Sequence, residues 1–222
     1  MINIIKRLDE WRVPIRERLN PYLGQVRIKK ISNPEFTIIS NNCWGGHVYR
    51  YFDLPYLSPT VGLYFFADDY VRFVGNLQHY LSCPLDFIPV ERSRHYLELN
   101  GQGTTHAPIG VLGNDVEIVF LHYHSEEEAL QKWNRRCCRI HWGNIILKFS
   151  EQNCATVDHL RQVDALPFKK KLIFTTRDYG LESQVIFREW LNAKQVYNDT
   201  IHFRRYVDLV KLINGEDFKR NQ

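Results

Sequence analysis

Five short apolar runs punctuate this chain, separated by stretches with helical spacing. The runs are Phe36–Ser40, Phe87–Val90, Val116–Tyr123, Ile145–Phe149 and Leu172–Thr175. Asp69–Leu81, Glu126–Arg139 and Thr156–Leu166 carry the helical pattern between them. Strands alternating with helices favour βαβ units and a mostly parallel sheet. Segments as continuously apolar as EIVFL and IIL suit strands covered on both faces. With 44% hydrophobic and 24% charged residues over 222 positions, the chain has enough apolar surface to offset the entropy of ordering it.

The expected fold is α/β, a Rossmann-like three-layer arrangement with helices on both faces of a mostly parallel sheet. A basic N-terminal helix precedes it and one or two helices over 182–214 follow. Residues 1–33 form the basic lead-in, with eight Lys/Arg against three acids, and residues 34–222 the single α/β domain. Ile4, Ile5, Leu8, Trp11 and Ile15 recur at helical spacing, broken at Pro14. That stripe suits either a helix docked on the domain or one resting on an anionic membrane surface. Residues 91–108 are polar and rich in turn formers, which reads as a hairpin, a flap or a surface loop.

A net charge of +4 gives no reason to expect a nucleic-acid partner. The longest apolar stretches, 61–67 and 116–121, fall far short of the roughly 20 residues of a membrane-spanning helix. Five cysteines with no CxxC spacing read as reduced thiols, and the N-terminus lacks the pattern of a secretory signal. A cytoplasmic location is expected, with peripheral contact at the inner membrane face through residues 1–33 as an extension. Oligomeric state is not legible.

In a parallel sheet ligands bind beyond the carboxyl ends of strands. The first predicted strand ends at Ser40, so Asn41, Asn42, Cys43, Trp44, Gly45 and Gly46 belong on that rim. The glycines allow close backbone approach to a ligand, and a helix beginning near Gly46 would favour an anion. Cys43 beside such a terminus would have its thiolate favoured. The alternative is a tight turn with an inert thiol and Trp44 as a core plug. His122 ends a predicted strand and suits a general base, since imidazoles titrate near neutrality. His124 shares its parity, but no third ligand stands nearby, and no metal site is expected. Ser125 with Glu128 has the form of a capping box, and Glu128 with Lys132 that of a helical ion pair. Asp68-Asp69 reads as a helix start or as an acidic pair holding a metal-bound nucleotide. Arg135 and Arg139 share a helix face that could meet phosphate.

The stretches 36–77, 108–153 and 167–175, above all SNNCWGG and FLHY with SEEEA and KWNRR, resemble a bacterial domain family of unassigned function. Its members are labelled exopolysaccharide or capsule biosynthesis proteins, some of them acetyltransferases. The resemblance implies an α/β fold and a link to surface polysaccharide. His122, Cys43, Asn41, Asn42 and Asp69 match the family pattern. His124 stands where the family usually has lysine, and Gly143 where it often has aspartate. The strand followed by Asn-Cys is also similar in outline to a capsule acetyltransferase family that binds coenzyme A.

Together these features lead to the expectation of a transferase of surface polysaccharide assembly, moving an acyl group from coenzyme A (acetyl-CoA) to a sugar or lipid-linked sugar. His122 would be the base, Asn41, Asn42 and backbone N–H groups near Gly45 the oxyanion donors, and Cys43 a relay or a pocket wall. Three alternatives stay open: a metal-dependent glycosyl or glycosyl-phosphate transferase using Asp69 and Arg135, a thiol hydrolase using Cys43 and His122, and a non-catalytic assembly partner.

Overall fold

The computed structural model describes residues 20–220. The amphipathic reading of Ile4–Ile15 lies outside them. Four strands, β1 (Thr37–Ser40), β5 (Ile145–Ser150), β6 (Lys170–Thr175) and β7 (Gln184–Ile186), form an all-parallel sheet in that spatial order. Side chains of a strand alternate between faces, and here both faces are apolar. Ile39, Leu147, Phe149 and Ile173 point into one core. Ile38, Ile146, Leu172 and Phe174 point into the other.

Helices α2 (Ala67–Gly75), α3 (Leu77–Ser82), α5 (Glu126–Cys137) and α6 (Val157–Ala165) cover the first face through residues such as Tyr70, Phe73, Trp133 and Leu160. The second face is covered by α1 (Trp44–Tyr51) and α7 (Leu209–Asn214), with Trp44, Tyr49 and Leu212 packed inward. The α/β architecture with helices on both faces is thus the one the alternation predicts.

Two of the five apolar runs join a different sheet. Strands β2 (Leu85–Ile88), β3 (Ile109–Leu112) and β4 (Val116–Val119) form an antiparallel three-stranded sheet. It buries Leu112, Val116 and Ile118 in the first core and Ile109 and Val119 under α4 (Tyr96–Gln102). The 91–108 excursion is built around a helix, with a 3-10 turn at Val90–Arg92 before α4 and turns on either side of it. Gly103, at φ 69°, closes α4 in the left-handed conformation a glycine adopts without strain. Its polar composition reflects exposure, since only Leu99 of α4 is buried.

The C-terminal third also departs from expectation. Between 182 and 214 lie strand β7, two 3-10 turns and a single α-helix, α7. The link from β6 to β7 spans only 176–183, short for a parallel crossover. It is short enough because β7 pairs only with Ile173–Thr175. Of the basic lead-in, residues 20–28 are helical. They lie on the end of α1, where Arg27 donates to Tyr51 O at 2.7 Å and covers the Tyr51 ring.

Two predicted caps are redrawn. Ser125 accepts from Glu128 N at 3.2 Å, but the Glu128 carboxylate turns to His124 N, one residue earlier than a capping box would have it. The N-cap of α2 is Phe66, which leaves Asp68 and Asp69 in its first turn.

Candidate functional site

The residue at the tip of β1 acts as a clamp. Asn41 is fully buried; its side-chain amide donates to Ser150 O at 3.0 Å and its carbonyl accepts from Ser150 N at 3.0 Å. It extends the β1–β5 pairing beyond the last ladder bond, so both its polar ends are committed to backbone. The segment that follows α1 then crosses this tip. Phe65 N donates to Asn41 O, and Tyr64 exchanges two hydrogen bonds with Val119 at the end of β4. The antiparallel sheet is thereby tied to the carboxyl end of the parallel one.

That crossing builds a pocket of about 380 Å³, within the size range of small-molecule sites. One wall is α1 and its N-cap, with Cys43, Gly46 and His47 at its start and Arg50 in its last turn. Val61 and Gly62 form the floor beside Tyr56. His122 and Tyr123, in the turn after β4, and Lys132 and Arg136, on α5, complete it. His122 N donates to Gly62 O at 3.0 Å, which fixes the turn that carries the exposed imidazole. Gly62, at φ 81°, lies under the Tyr123 ring, where a Cβ would meet Tyr123 Cε2 at 3.1 Å.

Cys43 and His122 thus line the same pocket. Their settings differ from the sequence expectation in one respect each. His122 does not end a strand, because β4 stops at Val119 and the chain turns. Cys43 is the N-cap of α1, yet its thiol is pushed up to about 11. Burial is the main cause and the Asp199 charge adds to it, with Lys148 offsetting only part. Desolvation outweighs the helix terminus, so the thiolate is disfavoured.

The other predicted residues are placed elsewhere. Trp44 is fully buried, edge-on to Phe174 and Phe203, a core plug. Gly45 lies against Ile38, where a Cβ would come within 3.2 Å of Ile38 Cγ2; close helix–strand packing is its function. Asn42 faces inward: its amide donates to Asp199 Oδ2 at 2.8 Å, and its carbonyl accepts from Lys148 Nζ at 2.8 Å and Trp44 N at 3.1 Å. Neither asparagine is free to bind an oxyanion. Asp69 is fully buried and bound to Arg94, to His95 at 2.6 Å and to Glu117 N at 2.7 Å, which ties the 91–108 excursion to α2. Its carboxylate is unavailable to a metal, and among the described residues no cluster of His, Cys, Asp and Glu could hold one. Arg135 is exposed and stands outside the pocket wall that its neighbours Lys132 and Arg136 form.

Sequence reasoning puts the phosphate-facing side of the KWNRRCCR cluster on Arg135 and Arg139, and it does not single out Arg50, Tyr56 or Tyr123. The arginine of that cluster that lines the pocket is Arg136. Ala129, Trp133 and Arg136 fall on one buried stripe of α5, and a charge on an apolar stripe is the signal that marks it. It donates to Val61 O at 2.9 Å and to the Tyr123 hydroxyl, and it stacks against Tyr56. Lys148, within the apolar run of β5, is a second such charge; it is fully buried and paired with Asp199 beneath α1.

A model of the family described as Domain of unknown function (DUF1919) matches residues 15–215. The chain belongs to that family. The DUF1919 match takes in both sheets and every wall of the pocket. The chain is also similar to an uncharacterized protein of Haemophilus influenzae, 33% identical over 189 residues that make up 85% of each chain. Among the described residues no helix is long and apolar enough to cross a membrane.

Proposed function

We propose that this protein is a cytoplasmic transferase of bacterial surface polysaccharide assembly. It moves an acyl group from a coenzyme A thioester to a hydroxyl of a sugar or lipid-linked sugar. The observation that supports this most is that Cys43 and His122, from distant parts of the chain, line one pocket whose rim is cationic. In the proposed step His122 takes the proton of the sugar hydroxyl while its oxygen attacks the thioester carbonyl. The carbon–sulfur bond then breaks, and the departing coenzyme A thiolate accepts the proton from His122. Positive groups at the pocket would stabilise the developing oxyanion in place of Asn41 and Asn42. Cys43, with its raised thiol pKa, is a wall of the pocket in this scheme and not a relay.

Titration calorimetry with acetyl-CoA tests the donor. Binding, together with acetyl transfer to a sugar acceptor that His122→Ala reduces by about a hundredfold or more, is expected. No heat at millimolar acetyl-CoA would remove the acyl reading. The cationic rim also favours a second reading, transfer of a glycosyl or glycosyl-phosphate group from a nucleotide sugar. Asp69 is committed to Arg94 and His95, so this reading is kept without the metal-dependent form that uses Asp68-Asp69; turnover of a nucleotide sugar that survives a chelator would support it.

A further inference from the structure

The pocket between α1 and α5 carries an unbalanced charge among the described residues. Arg50, Lys132 and Arg136 line the pocket, and among the described residues no aspartate or glutamate does. Lys132 is paired with Glu128 one turn away. Among the described residues, no carboxylate pairs with Arg50 or Arg136. Arg136 is the telling case, since it is only 6% exposed. Its described partners are neutral: Val61 O, the Tyr123 hydroxyl and the faces of Tyr56 and Tyr123. A guanidinium withdrawn from water this far normally has an anion beside it, because an unpaired buried charge is costly. Among the described residues, two positive charges thus remain without a counter-charge, one on the buried Arg136 and one on the exposed Arg50.

We infer that this pocket is a phosphate site, in which Arg136 and Arg50 hold a doubly charged phosphoryl group, either a phosphomonoester or a pyrophosphate. A single carboxylate would balance only one of the two cations, whereas a phosphomonoester carries nearly two charges at neutral pH. Guanidinium groups also match the oxygens of phosphate in geometry as well as in charge. Tyr56 and Tyr123 supply the aromatic wall for the organic part that a pocket of about 380 Å³ leaves room for. The inference deepens the transferase reading and rests on the same pocket being the ligand site.

Calorimetry at low salt with inorganic phosphate, inorganic pyrophosphate and acetate tests it. Phosphate or pyrophosphate is expected to bind and acetate is not; which of the two binds more tightly identifies the source. Arg136→Gln should weaken binding about tenfold or more, and Arg136→Lys should retain part of it. Arg50→Gln, at an exposed position where folding is not at stake, should weaken it several-fold. Arg135→Gln, outside the pocket wall, should leave it unchanged. Acetate binding as tightly as phosphate, no binding of either phosphate species, or an Arg50→Gln protein that binds like the parent would overturn the assignment. Phosphate binding without any turnover of acetyl-CoA would sink the acyl-transfer reading and leave the phosphate site standing.

Discussion

Removing the Asp199 carboxylate should be among the most destabilising single changes in this fold. Asp199 is 1% exposed, and one of its oxygens gathers three donors: Lys148 Nζ, Ser150 Oγ and the Asn42 amide. Asp199→Ala leaves the Lys148 ammonium wholly buried with the Asn42 carbonyl as its remaining described acceptor. Breaking a buried pair in this way costs about 3–5 kcal/mol. That is a large share of the roughly 5–15 kcal/mol that holds a domain folded. At about 2–4 °C per kcal/mol for a chain of this size, calorimetry should find Tm lowered by about 6–20 °C. Lys148→Met with Asp199→Leu, which removes both charges, should recover most of the loss, because replacing a buried pair by apolar groups is often neutral.

The same carboxylate fixes a pH dependence. Burial alone would raise its pKa, but the Lys148 charge and the hydrogen bonds from Lys148, Ser150 and Asn42 together hold it below the ordinary aspartate value. Its stabilisation is therefore fully present above the unfolded value, about 3.9, and is lost as pH falls from there through the folded pKa. Asp199→Asn should flatten the acid limb of the stability curve. A loss below about 1 kcal/mol in Asp199→Ala, or a double variant no more stable than either single one, would refute the reasoning.

Three further outcomes follow from other contacts. With its thiol at about 11, Cys43 should alkylate slowly at pH 7.5 and faster as pH rises, after the exposed Cys138; peptide mapping after iodoacetamide treatment reads this directly, and preferential labelling of Cys43 would revive a nucleophilic role. Asn41→Ala should cost about 1–3 kcal/mol in urea denaturation, since it takes the side-chain acceptor from the buried Ser150 N–H and one donor from the Ser150 carbonyl. Gly110→Ala should cost about 1–3 kcal/mol, because its Cβ would lie 2.6 Å from Phe120 and 2.7 Å from Leu85 in a packed core; an unchanged melting curve would contradict that packing.

What the sequence by itself determined is the part of the fold written in local periodicity. The runs at β1, β5 and β6 and the helices α5 and α6 are legible because burial on a sheet or a helix stripe repeats every few residues. The strand at β3 and the helix α4 were not, since a four-residue run and a helix with one buried residue carry too little pattern. Which sheet a strand joins is not a local property either: β4 is as apolar as β5, and its antiparallel pairing is set by the turn at Gly113–Asn114 that returns β3 onto it. The same division runs through the site. Cys43 and His122 stood out by residue type, and Lys148 and Arg136 break apolar patterns in the sequence. Only the tertiary structure decided that Asn41 clamps Ser150, that Asn42 faces Asp199, and that Arg136 reaches Val61 across the chain. Hydrogen bonds and charges find partners by distance in space, and the crossing of residues 61–65 over the tip of β1 creates those distances.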